Sequence, residues 1–195
     1  MIKRIVAFIL VVVSIFSLIG CSGESPYIEE DEIFFAVNGK KYQLGVTFGE
    51  LLKNTDIDKG LIDPTTKLGG GNTKKLSVQI KSGNKRSTIY VVLHNPTASA
   101  VDFTGAYIEQ IYVNRKDIND PNAITFLGRK LEDGVDLWNS SISEKNTKTT
   151  SLGADKYVWE KTIKSTKKPF NVILETKNGA GEFMMISKLG AQKIN

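Results

Sequence analysis

The sequence predicts an antiparallel α+β fold in which β-meanders are covered by short helices. Three observations predict it. Apolar and polar residues alternate along several short stretches, Asn-Gly pairs stand between such stretches, and only two short segments carry helix signals. The 195-residue chain has one cysteine and one histidine, so no internal disulfide can form and the ligand set of most zinc sites is missing. With 26 basic residues, 21 acidic residues and a hydrophobic fraction of 41%, the composition suits a chain with a real core. It excludes a polytopic membrane protein, a collagen-like chain and a low-complexity chain.

The first hairpin is written at Asn38-Gly39. Both residues accept the positive φ of a type I′ turn, and the β-rich runs Ile33–Val37 and Lys40–Leu44 flank them. Thr47 with Glu50 three residues later is a capping box, which starts a short helix at Thr47. Asn54 to Lys75, rich in Asp, Gly, Thr and Pro, reads as a long loop. Three strands follow at Leu76–Ile80, Ser87–His94 and Tyr107–Val113, the second ended by Asn95-Pro96.

The same order then recurs. Ile124–Leu131 echoes the hairpin, and Asp133 with Asp136 caps a helix through Val135, Leu137 and Trp138. Strands follow at Tyr157–Ile163, Phe170–Thr176 and Glu182–Ser187, the last two joined by Asn178-Gly179. Each half reads as β-hairpin, short helix and three-stranded meander. The order admits a tandem duplication, with repeats at 33–113 and 114–195. A three-stranded meander needs a cover for its apolar face. Its own helix supplies one, or the two sheets join edge to edge.

The N-terminus carries an address. Lys3 and Arg4 precede the run Ile5–Ile19, which is apolar apart from Ser14 and Ser17. A spanning helix needs ~20 apolar residues, so the run fits a signal peptide at 1–20 better than a permanent anchor. It ends in Leu18-Ile19-Gly20-Cys21, which resembles the lipobox of bacterial lipoproteins. That resemblance implies a diacylglyceryl thioether on Cys21 and cleavage between Gly20 and Cys21. The anchor then holds the protein on the extracytoplasmic face of the cell membrane. Residues 21–32 hold Glu24, Glu29, Glu30, Asp31 and Glu32 without a basic residue, and read as a solvated acidic tether. With the lipobox, the helix-plus-meander order is similar to small surface lipoproteins of Gram-positive bacteria. It is also similar to the β-lactamase-inhibitor-like and outer-membrane-assembly small-lipoprotein folds. The resemblance is one of pattern and carries over no functional residue beyond the lipobox.

Signals for catalysis fail on spacing. His94, the lone histidine, ends an apolar strand, and no Gly-x-Ser-x-Gly elbow accompanies it. Ser82-Gly83-Asn84-Lys85 and Ser165-Thr166-Lys167-Lys168 fit Ser-x-x-Lys, but the partner motifs are missing and the first spans a turn. Counting a calcium loop from Asp56 puts Gly60 and Lys67 where ligands belong. Gly69-Gly70-Gly71 lacks the Gly-Lys-Ser/Thr of a phosphate loop. Lys161, Lys164, Lys167 and Lys168 make a basic cluster of the kind that meets anionic wall polymers, phospholipid or nucleic acid, with a solvated lysine-rich face as the default reading. Beyond the leader, Arg86, Arg115 and Arg129 are the only arginines, which argues against nucleic-acid reading.

The expectation is a monomeric, lipid-anchored extracytoplasmic binding module that contacts a protein or an envelope polymer. It uses no cofactor or metal and is not an enzyme. Tyr157 and Trp159, on one face of their strand, are the candidate interaction surface; the alternative, favoured for Trp159, is that this face lies in the core under a helix. The alternative is a small envelope hydrolase using carboxylates such as Glu160 and Glu175. The lipidation assignment makes its own prediction. Cys21→Ser leaves the chain uncleaved or untethered, and normal acyl labelling with membrane retention in that variant would sink it.

Overall fold

The computed structural model describes residues 27–60, 62–142 and 146–189. The leader at 1–20, the lipobox residues Leu18, Ile19, Gly20 and Cys21, and the start of the tether lie outside them. Among the described residues no helix is long and apolar enough to cross a membrane. The described residues form mostly antiparallel β-sheet with two short α-helices.

The elements follow in chain order. They are β1 (Tyr27–Ile28), β2 (Phe34–Val37), β3 (Lys40–Gln43), α1 (Phe48–Leu52), β4 (Ile57–Asp58), β5 (Lys67–Leu68), β6 (Thr73–Ser82), β7 (Lys85–His94) and β8 (Val101–Asp102). Then come β9 (Tyr107–Asn114), β10 (Ile124–Phe126), α2 (Val135–Ile142), β11 (Thr147–Ser151), β12 (Ala154–Ile163), β13 (Pro169–Lys177) and β14 (Ala180–Ser187). The main sheet has nine strands in the order β1-β12-β13-β14-β9-β7-β6-β4, with β11 beside β12. A three-stranded sheet, β10-β2-β3, and the short pair β5-β8 complete the fold.

Local chemistry explains the turns. Asn38 and Gly39 both take positive φ, 45° and 81°, and close the β2–β3 hairpin. Asn178 and Gly179 do the same between β13 and β14. Thr47 caps α1, its side chain accepting the Glu50 amide at 3.3 Å. The other expected cap differs. Asp133 Oδ2 accepts the Lys130 amide at 2.9 Å, so it stabilises the turn before α2. Gly181 sits at the irregularity in the β13–β14 register, where a Cβ would lie 1.9 Å from the Leu131 carbonyl oxygen. Only glycine lets these backbones approach.

One core runs through the molecule. It joins Phe35 and Val37 of the small sheet to Phe48 and Leu51 of α1 and to Trp138 of α2. Against these pack Ile80, Val91, Ile108, Trp159, Val172, Met184 and Ile186 of the main sheet. The two meanders, β6-β7-β9 and β12-β13-β14, meet along β9 and β14. Residues on both sides of position 113 therefore share one core and one sheet.

Three segments differ from the sequence expectation. β6 starts at Thr73, because Thr73, Lys74 and Lys75 pair with His94, Leu93 and Val92 of β7 although they lack apolar alternation. β4 and β5 break up the expected long loop. The end of the tether is folded. Tyr27 and Ile28 pair in parallel with Thr162 and Ile163, and Ile28 is 7% exposed. Glu29 bonds Lys164 at 2.5 Å, and Glu30 bonds Lys188 at 2.7 Å and Ser165 at 3.2 Å. A stretch that reads as a charged spacer is thus an arm held by lysines far along the chain.

The arm makes stability depend on acid. The Lys188 ammonium bonded to Glu30 holds its carboxyl below the usual glutamate range, against a smaller opposing effect of burial. A carboxyl whose folded pKa is depressed stabilises above its unfolded pKa, and that contribution is lost as pH falls through the folded value. Glu30→Gln therefore lowers the melting temperature at neutral pH and flattens its fall on acidification. Lys188→Ala, which removes a largely buried ammonium and leaves the Glu30 carboxylate without that hydrogen bond, costs ~1–3 kcal/mol in urea unfolding.

Candidate functional site

Alternation along the strands of the main sheet gives it two faces. One carries the core. The other carries a second apolar cluster of Tyr112, Ile173, Phe183 and Met185, with Tyr90 and Val158 packed against it. Every member comes from β7, β9, β12, β13 or β14, and no described helix contributes.

Register draws this cluster into a row across the sheet. Ser77 pairs with Tyr90, Tyr90 with Tyr112, Tyr112 with Met185, Met185 with Ile173, and Ile173 with Val158. Tyr90 and Tyr112 stack with ring centroids 4.9 Å apart and planes 10° apart, and Phe183 meets Tyr112 at 5.6 Å. Such pairs add ~0.5–1.5 kcal/mol beyond area burial. The Tyr90 hydroxyl donates to Asp117 at 3.1 Å, and Asn114 donates to the same carboxylate oxygen at 2.8 Å. Burial first, and then the Asp117 hydrogen bond, raise the Tyr90 phenol above its ordinary pKa. Burial also raises Tyr112, with Tyr90 and Asp117 adding to it.

A polar row runs beside the apolar one. Val92 pairs with Gln110, Gln110 with Ser187, Ser187 with Asn171, and Asn171 with Glu160. Gln110 is fully buried; its amide nitrogen donates to the Met185 sulfur, while its carbonyl oxygen has no partner among the described residues. A buried acceptor without a donor is costly.

The sequence-derived candidates fall elsewhere. Tyr157 and Trp159 are not a surface pair. Trp159 is 1% exposed in the core, its Nε1 donating to Asn139 at 3.0 Å and its ring 6.2 Å from that of Trp138. Tyr157 is half-buried against the same core. Alternation correctly put them on one face, but α2 covers that face. Glu160 and Glu175 also stay apart. Glu160 pairs with Asn171, four positions along β13 from Glu175, which is ~13 Å at strand rise. Ser82 faces Lys85 across a hairpin and donates to Asp120. His94 is half-buried at the end of β7, opposite Thr73 and Tyr107.

The basic cluster is partly engaged by the arm, with Lys164 on Glu29 and the Lys167 ammonium 4.9 Å from the Tyr27 ring centroid. A cavity of about 540 Å³ opens beside that arm, walled by Tyr27, Asp31, Phe34, Lys41, Ser141 and Lys161. The Lys41 ammonium lies 3.7 Å from the Phe34 ring centroid. Among the described residues no group of three or more His, Cys, Asp or Glu is arranged to hold a metal ion.

Tyr90 and Tyr112 were hidden in the sequence, although a signal was there. Ile89-Tyr90-Val91-Val92-Leu93 is apolar at both parities, the mark of a strand with two apolar faces. The core position of Trp159 predicts that Trp159→Ala destabilises the protein by ~3–5 kcal/mol in urea unfolding. Near-normal stability would return Trp159 to the surface. Comparison with protein-family models, curated proteins and solved structures finds no match.

Proposed function

We propose that this chain is a lipid-anchored extracytoplasmic binding module, non-enzymatic, that meets an envelope protein or polymer through the outer face of its main sheet. The observation that carries this reading is the row from Tyr90 to Val158. It is an apolar, aromatic band on the face away from the core, 0–5% exposed at its centre and half-buried at its ends, Tyr90 and Val158, and made of the residue types that dominate binding energy at interfaces. The lipobox at Leu18-Ile19-Gly20-Cys21 supports anchoring through a diacylglyceryl Cys21. The first described residue, Tyr27, already belongs to the folded arm, and the six positions from Cys21 to Tyr27 span at most ~20 Å at 3.3–3.6 Å per residue. The module would then work close to the membrane.

The same reading includes a tandem origin. The first hairpin with α1 and β6-β7-β9 corresponds to β10 with its Leu127-Gly128 turn, α2 and β12-β13-β14. Antiparallel pairs, β9 with β14 and β2 with β10, join the two units.

The test places the photo-crosslinker p-benzoylphenylalanine in the anchored protein on intact cells. It replaces Tyr90 or Val158, at the half-buried ends of the row, and, as control, the fully exposed Leu152. Discrete adducts from positions 90 and 158, with none from 152, are expected. Adducts absent from both, or equal at 152, overturn the binding face. A hydrolytic activity that survives rigorous purification overturns the non-enzymatic reading.

A further inference from the structure

The main sheet is closed unevenly at its two edges. At one, β12 is covered by β11 over Ala154–Val158 and by β1 at Thr162 and Ile163. At the other, β4 covers β6 only at Gln79 and Ile80. The stretch Thr73–Val78 of β6 has no strand on that side among the described residues.

The direction of its backbone groups follows from parity. The Lys81 amide donates outward to the Asp56 carbonyl at 2.7 Å, and the Lys81 carbonyl accepts from the Asn38 side chain. In an antiparallel strand alternate residues turn their N–H and C=O the same way. Those of Ser77 and Lys75 therefore also point outward, and no described backbone group meets them. Their side chains are exposed, as is that of Lys74, and neither lysine enters an ion pair among the described residues. Leu76 is half-buried at the margin of the core, leaving apolar surface beside the open edge.

We propose that this edge is a strand-addition site for an extended acidic peptide segment of a partner protein. Main-chain hydrogen bonds to Lys75 and Ser77 supply the docking, as in β-augmentation generally. Alternate side chains of the guest fall on the two faces. Acidic ones meet Lys75 on one face, and apolar ones extend the margin at Leu76 on the other, beside the stem of Lys74. Charge selects the occupant, because a second copy of this edge would set its own Lys74 and Lys75 against these. The site depends neither on the lipid anchor nor on the outer row.

The probe is a fluorescein-labelled octapeptide, Thr-Glu-Val-Glu-Ile-Glu-Val-Thr, titrated into the purified full-length protein and read by anisotropy. Saturable binding is expected. It weakens at least about tenfold in Ser77→Pro, since proline removes an outward N–H and is tolerated on an edge strand. It weakens likewise in Lys74→Glu/Lys75→Glu and when lysine replaces the glutamates of the peptide. The octapeptide N-methylated at alternate residues, which keeps the side chains and loses the donors, must also fail to bind. That measurement decides the matter if circular dichroism finds Ser77→Pro unfolded. Absence of saturable binding overturns the proposal. So does binding that neither Ser77→Pro nor N-methylation weakens, which leaves charge attraction alone. A dimer in sedimentation that Ser77→Pro dissolves also overturns it, making the occupant a second copy.

Discussion

The seam between β9 and β14 turns two meanders into one sheet. It runs from Asn114 opposite Phe183 to Gln110 opposite Ser187. Without it there are two three-stranded meanders, each needing its own cover. With it there is one twisted sheet, broad enough for α1, α2 and the small β10-β2-β3 sheet to share one face. β9 also pairs with β7 on its other side, so both of its edges are committed. This explains the composition of these strands. Ile111 and Val113 serve the core while Gln110 and Tyr112 serve the other face, and all four are nearly or fully buried.

A sheet apolar on both faces sets a problem that this chain meets with order rather than bulk. The core face is filled by large side chains from many elements, Trp138 and Trp159 among them. The opposite face holds a narrow band, stacked at Tyr90 and Tyr112, and gives way to polar residues within one row. Gln110, Ser187 and Asn171 form that border, and all are buried. Glu160 and Ser77 stand exposed at the margins. A band bordered in this way is confined to one direction across the strands.

Much of the fold was legible in the sequence because it is local. Asn38-Gly39 and Asn178-Gly179 specify their hairpins through φ alone, and Thr47 specifies a helix start through one hydrogen bond. The antiparallel α+β class follows from such signals. What was illegible is non-local. The Glu29–Lys164 pair that ties down the arm spans 135 residues, and no periodicity in Tyr27-Ile28 names its partner. The outer row depends on register across five strands. β11 was invisible because Thr147–Ser151 is wholly exposed and polar. For Trp159, alternation told which residues share a face, but only the docking of α2 decides which face is inside.

The parallel seat of the arm has a consequence for the order of folding. The chain emerges from its N-terminus, so Tyr27 and Ile28 are made long before Thr162 and Ile163. Contacts of such sequence separation carry the largest loop-closure entropy and form late. Until β12 is complete and paired with β13, the arm has no surface to lie on, and Glu29 and Glu30 lack Lys164 and Lys188. Docking of the first described strand is therefore a closing step, and an arm that resists proteolysis reports a sheet that has finished assembling.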